Sequence, residues 1–321
     1  MQIDHLKDDF QAFLLDAVGM LAFFVIVQVG GVFFAKQQPS PSIEAASATS
    51  DIAGELPSAP PPAQVGIKVA VAYILFFLFV TLCMLAAIKY DKTDILQYAA
   101  YPIIYISFVF ALALLGLRPL VSMVLAVAAP VIYSDFQTWY VVTSVGLVLS
   151  IVSVGAFAIL WSPVAILVIM AAFTVYDAIA VYVTGHMQKL ARGVGDKLPL
   201  FVVIPHSKTF ALSDIFEVSE DGKRHATALG LGDLIIPSTL GAVAAKHVGE
   251  PVFVLGTLEF TAPAIGAMLG TLIGSLVLTF MLYAIENAGH AGLPPLNIGA
   301  IAGYLIAGLM AGLPLLTLLG L

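Results

Sequence analysis

Apolar runs near residues 12–35, 67–88, 95–116, 119–133, 138–160, 164–185, 226–245, 264–285 and 296–319 divide this chain from end to end. A helix of about 20 such residues crosses the hydrocarbon core of a bilayer, and a backbone in lipid must satisfy its own N–H and C=O groups. Soluble domains carry about 25% charged residues; here the figure is 10%, against 60% hydrophobic. The runs therefore predict an all-α membrane protein of about nine transmembrane helices, forming one polytopic domain over 1–321. The fourth run is short. The first (from Phe13 on) has no basic segment ahead of it and no small-residue cleavage site, so it reads as a retained helix.

Two breaks between the runs are long. The first, over 36–66, contains "QQPSPSIEAASATSDIAGELPSAPPPAQ", whose Pro, Ser and Ala content predicts an irregular loop outside the membrane. The second, over 186–225, holds Lys189, Arg192, Lys197, Lys208, Lys223 and Arg224, six of the thirteen basic residues. Lys and Arg gather on the cytoplasmic side. A cytoplasmic loop between helices 6 and 7 puts the N-terminus in the cytoplasm and the C-terminus outside. Lys7, Lys89 and Lys92 then fall inside with the loop's six, and Lys36, Lys68, Arg118 and Lys246 fall outside.

Several functions are excluded by what the chain lacks. A net charge of −7, spread along the sequence, gives no footprint for nucleic acid. Cys83 is the single cysteine, and the six histidines are scattered with no H-E-x-x-H, so neither disulfides nor a zincin-type metal site is expected. No metal or other cofactor is implied. Gly266, Gly270 and Gly274 repeat at four-residue spacing, as do Gly299 and Gly303; such ridges let helix backbones approach closely in lipid.

Two acids stand out. Asp177 is the single charged residue of the 164–185 run, and Asp233 is the one acid of 226–245. Ionisable groups inside a membrane are costly and face a cavity or a partner. Neither acid has a Lys or Arg at i±3 or i±4. With about eight residues between Asp177 and the basic loop and about seven between the loop and Asp233, both lie roughly 10–13 Å from the same membrane face. Two carboxylates at matched depth can share one proton, the charged one activating a water and the protonated one donating to a carbonyl oxygen. They could equally bind a cation or relay protons in a transporter. Asp16, near the start of its helix, Glu259 in a connector and Glu286 at a helix end are expected at the interface.

Asp233 closes a Gly-x-Gly-Asp motif, Gly230-Leu231-Gly232-Asp233, whose glycines allow another helix or a substrate backbone to come near. Pro237, four residues on, cannot donate to the Asp233 carbonyl and should weaken or kink the helix there. A second copy, Gly193-Val194-Gly195-Asp196, lies among the basic residues of "KLARGVGDKLPL", outside any spanning run, and is assigned to the loop.

Tyr176-Asp177 in one span, Gly230-Leu231-Gly232-Asp233 in the next and Pro294-Pro295-Leu296 before the last form an ordered set. It resembles the presenilin and signal peptide peptidase family of intramembrane aspartyl proteases, and most of all its microbial (archaeal) presenilin homologues. The resemblance covers the span count, the orientation and roughly residues 164–305. It implies a presenilin-like bundle, Asp177 and Asp233 as catalytic pair, and Pro294, Pro295 and Leu296 beside them. The family usually has Ala where this chain has Pro295. The resemblance also implies transmembrane peptide substrates met in the lipid bilayer and no cofactor. Accessory subunits are not implied, and a homo-oligomer is compatible with it. Tyr176 points about 100° away from Asp177 around the helix and is expected to shape the site or hold substrate. In the basic loop, "LPLFVVIP" (198–205) is apolar and β-branched, suited to strand pairing with substrate, to plugging the site or to lying on the membrane.

Overall fold

The computed structural model describes residues 2–37, 62–90, 92–184, 201–207, 210–212, 225–284 and 290–320. Most of the 36–66 loop, most of the basic loop including Gly193–Asp196, and Glu286 lie outside them. Helix α1 (Gln2–Gln37) is followed by α2 (Pro62–Lys89), α3 (Thr93–Leu114), α4 (Pro119–Ala126), α5 (Ala128–Asp135), α6 (Trp139–Leu160) and α7 (Pro163–Ala178). The antiparallel strands β1 (Phe201–Pro205) and β2 (Ala226–Gly230) lead into α8 (Leu231–His247). A second ribbon, β3 (Pro251–Leu255) and β4 (Leu258–Thr261), leads into α9 (Ala262–Ala284), then α10 (Leu293–Met310) and α11 (Leu315–Leu319).

Seven of the described helices are long and apolar enough to cross a membrane. The short fourth run is a helix pair, Pro119–Asp135, broken at Val127. The seventh run is strand β2 followed by the 17-residue α8, so each of the nine expected segments contains a helix, though seven are of spanning length. The two ribbons are additions to the all-α expectation. The last run also differs: α10 stops at Met310, and Gly312 (φ +77°) and Pro314 turn the chain into α11.

Small residues make α8 the centre of the bundle. Its stretch Pro237–Ala245, "PSTLGAVAA", is buried throughout. An all-round buried helix needs no amphipathic face. It packs against α1, α6, α7, α9 and α10. The core around it includes Phe24 and Val27 of α1, Ile166, Ile169 and Met170 of α7, Leu234 and Leu240 of α8, and Leu296 and Tyr304 of α10. Leu75, Phe76, Phe79 and Leu82 of α2 point outward, as residues facing lipid would. Pro237 sits inside α8 without ending it.

The β1–β2 ribbon has a defined polarity. Val203 donates its N–H to Thr143 Oγ1 of α6 at 3.0 Å and accepts from that hydroxyl at 3.4 Å. A side chain thus fills the outer edge of β1. Because Val203 opposes Ala228 in the register, Ala228 turns its own N–H and C=O to the far edge of β2.

Candidate active site

The Gly-x-Gly-Asp motif is a helix start. Gly230 ends β2 as the N-cap of α8, with extended backbone (φ −63°, ψ 142°); Leu231, Gly232 and Asp233 are its first three helical residues. An acid at the third helical position favours the positive end of the helix and can reach back to the N-cap amide. Asp233 does so, bonding the Gly230 N–H. A Cβ on Gly230 would lie 3.2 Å from Asp233 Oδ2, and one on Gly232 would meet nothing within 4 Å. The first glycine lets the carboxylate fold back; the second leaves open space beside it. Leu231 packs against Gly146 of α6. The helix begins five residues later than the apolar run suggests, because 226–230 is extended.

Asp177 is the penultimate residue of α7, where the chain continues as a π-turn over Ile179–Val183 closed by Thr184 N–H to Ile179 O at 3.0 Å. Such turns often mark functional sites. The Asp177 side chain is 7% exposed, and its Oδ2 accepts the Leu293 N–H at 3.0 Å. The Gly292 N–H bonds it as well.

Both acids therefore meet at the start of α10. Gly292 is the N-cap of that helix, and Asp233 lies against it: a Cβ there would be 2.9 Å from Asp233 Cγ and Oδ2. The charges of Asp177 and Asp233 are close enough to interact. The prolines of the third motif explain the arrangement. The first four N–H groups of a helix have no partner inside it. Here those positions are Gly292, Leu293, Pro294 and Pro295. Two lack the N–H altogether, so the prolines cost nothing there, and the remaining two amides are both given to Asp177. Pro295 in place of Ala removes a donor that a buried helix start would otherwise have to satisfy. Leu296 is fully buried in the core behind the site.

A further clamp was invisible in the sequence. Asn297, fully buried on α10, donates to Thr174 Oγ1 at 2.9 Å and Met170 O at 3.2 Å. It fixes α10 against α7 one turn before Asp177. Tyr176 points elsewhere, onto α2: its ring meets Phe77 edge-on at 5.7 Å and its hydroxyl bonds Thr81. Of the other expectations, Glu259 is at the periphery, ion-paired with Lys36 at 3.0 Å. Asp16 is 0% exposed, enclosed by the protein and held by three side chains. Of the apolar segment 198–205, residues 201–205 form β1, paired with β2 on one edge and bonded to Thr143 on the other. Among the described residues no group of three or more His, Cys, Asp or Glu could hold a metal ion. The arrangement offers two carboxylates, hydrogen-bond donors from one helix start, and open space at Gly232.

Comparison with known proteins places this chemistry in a lineage. A family model described as signal-peptide peptidase, presenilin aspartyl protease matches residues 21–313. Two solved structures of a presenilin family intramembrane aspartate protease are similar over nearly their whole length. One, in space group C222, is 25% identical, with 92% of this chain and 99% of that one covered and a TM-score of 0.58. The other, in space group P2, is 26% identical, with 91% and 97% covered and a TM-score of 0.57. None of the curated proteins matches.

Proposed function

Since the chain belongs to the signal-peptide peptidase and presenilin aspartyl protease family, and is thus an intramembrane aspartic endopeptidase, we propose that it hydrolyses peptide bonds of single-span membrane substrates through an Asp177/Asp233 dyad. The observation that carries this is the convergence of both carboxylates on consecutive residues, Gly292 and Leu293, at the start of α10. Two acids so close share one proton and titrate as a unit. One activates a water, which attacks the scissile carbonyl carbon. The other protonates the carbonyl oxygen, and collapse of the tetrahedral intermediate passes a proton to the leaving amine.

An intact substrate helix hides its carbonyls, so the substrate must unwind first. The far edge of β2 is suited to receive it, since Thr143 already fills the edge of β1. A strand added there runs toward Gly230 and the open position at Gly232, beside Asp233. Tyr176 supports the site from behind through α2. The basic loop and N-terminus face the cytoplasm, the C-terminus faces the other side, and 1–321 acts as one membrane domain. Cation-coupled transport on the same acids has no support from the family or the fold.

Reconstituted protein mixed with a single-span peptide is expected to yield two fragments, joined at one new N-terminus inside the apolar segment by mass spectrometry. A peptide mimic with a hydroxyl at the scissile position should block the reaction. An intact peptide under conditions where the protein instead carries ions across the vesicle would overturn the reading.

Gly292 gives a sharper test of geometry. Its backbone (φ −79°, ψ −39°) suits any residue, so Gly292→Ala adds only a methyl, 2.9 Å from the Asp233 carboxylate carbon. Misplacement of a reacting group by about 1 Å can cost about 100-fold. We expect kcat to fall about 10–100-fold, with KM within twofold and thermal stability near wild type. Wild-type turnover would remove Gly292 from the account of the site.

A further inference from the structure

One buried charge is not used by the chemistry above. Asp16 of α1 is 0% exposed and accepts three hydrogen bonds: from Thr227 Oγ1 of β2 at 2.6 Å, from the Tyr283 hydroxyl of α9 at 2.8 Å, and from His206 Nε2, just past β1, at 2.9 Å. A buried carboxylate is stable only when paired or fully hydrogen-bonded, and here every donor comes from another part of the chain. One donor sits on β2, one just past the end of its partner strand β1, and the third at the end of α9.

The ribbon meets α1 at a second point one turn away. A Cβ on Gly19 would be 2.7 Å from Ile204 Cδ1, so the bare glycine seats the Ile204 side chain. Ile204 and Thr227 are directly opposite in the β1–β2 register. One turn of α1 thus holds a cross-strand pair from both strands, by packing at Gly19 and by a hydrogen bond at Asp16. Beyond Thr227 the strand has two residues left before Gly230, the N-cap of α8, and Asp233 lies on the next turn.

We propose that Asp16 is a positioning residue for the peptidase reaction: by clamping the β1–β2 ribbon to α1 and α9, it fixes Gly230 and hence the placement of Asp233 against Asp177. The proposal rests on the dyad reading. Asp16 touches no reacting atom; it acts through Thr227 and the strand. Without the clamp the ribbon keeps its pairing but gains freedom relative to α1, and the N-cap that Asp233 reaches back to moves with it.

Asp16→Asn risks leaving buried donors unsatisfied and the fold lost, so Thr227 is the better probe. Thr227→Val keeps the shape and removes the hydroxyl; Thr227→Ser keeps the hydroxyl. The full chain in detergent is assayed on one single-span peptide, with thermal unfolding in parallel and Asp233→Asn as control. Thr227→Val is expected to lower kcat about 10–30-fold with KM changed less than threefold and the unfolding midpoint within a few degrees. Thr227→Ser should recover most of the rate. Wild-type kcat in a folded Thr227→Val protein, or an equal loss in both variants, would overturn the clamp while leaving the dyad intact. Full activity in Asp233→Asn would instead sink the dyad, and the clamp with it.

Discussion

Gly270→Leu should leave no stably folded protein. Gly270 faces Gly299 across the α9–α10 interface so closely that a Cβ on either residue would overlap the other's carbonyl oxygen. The same holds for Gly266 with Gly303, and Gly274 abuts the Pro295 carbonyl and lies under Leu296, where a Cβ would be 2.9 Å from Leu296 Cα. What a larger side chain would strike is backbone, which cannot swing aside as a rotamer can. In lipid the helices gain little from hiding apolar surface, so close packing carries most of their association. Overpacking usually costs about 1–3 kcal/mol; with backbone against backbone the cost belongs at the top of that range or above. The same separation would draw Leu293 away from Asp177, so residual folded protein should also be inactive. Unfolding in detergent, followed by helicity and gel filtration, measures the effect. Leu269→Ala, at a neighbouring position 55% exposed, is the control and should behave as wild type. A Gly270→Leu protein with the wild-type unfolding midpoint would show that the glycine contact is dispensable.

The glycine ridges illustrate what a sequence reveals. Their spacing predicts close helix packing, but nothing in it says that the ridge of α9 lies against that of α10. The apolar runs gave span positions because a helix that crosses lipid needs a long apolar stretch. The two lone acids were visible for a related reason: a charge with no local partner has to be explained. The strand over 226–230 was hidden, since "ATALG" continues an apolar run and lacks alternation. Its presence moves Asp233 from mid-helix to the first turn of α8, which recasts Gly-x-Gly-Asp as cap and reach-back acid. The environment of Asp16 was out of reach for another reason. Its partners His206, Thr227 and Tyr283 are 190, 211 and 267 residues away in sequence. Gly292 and Leu293 escaped notice because they serve the site through backbone, one by lacking a side chain and one by donating an amide. Pro294 and Pro295, which looked like a departure, are the residues that leave those two amides as the only donors.

Exchange of either acid for its amide is expected to have the largest effect on activity. Asparagine keeps the size of aspartate and an oxygen that can still accept the Leu293 or Gly230 N–H, so Asp177→Asn and Asp233→Asn should fold. Neither amide can take a proton from water or pass one to a carbonyl. General acid–base assistance contributes about 100–10,000-fold per group, and groups that act as one unit do not contribute independently. Each single variant should therefore lose at least about 1,000-fold, and the double variant should be no worse than either. The measurement to make is cleavage of one single-span peptide by wild type, the two single variants and the double, at matched helicity. Activity in wild type alone, with equal residual rates in all three variants, is the predicted result. Near-wild-type cleavage by either folded single variant, or losses that multiply in the double, would contradict a shared-proton dyad at the start of α10.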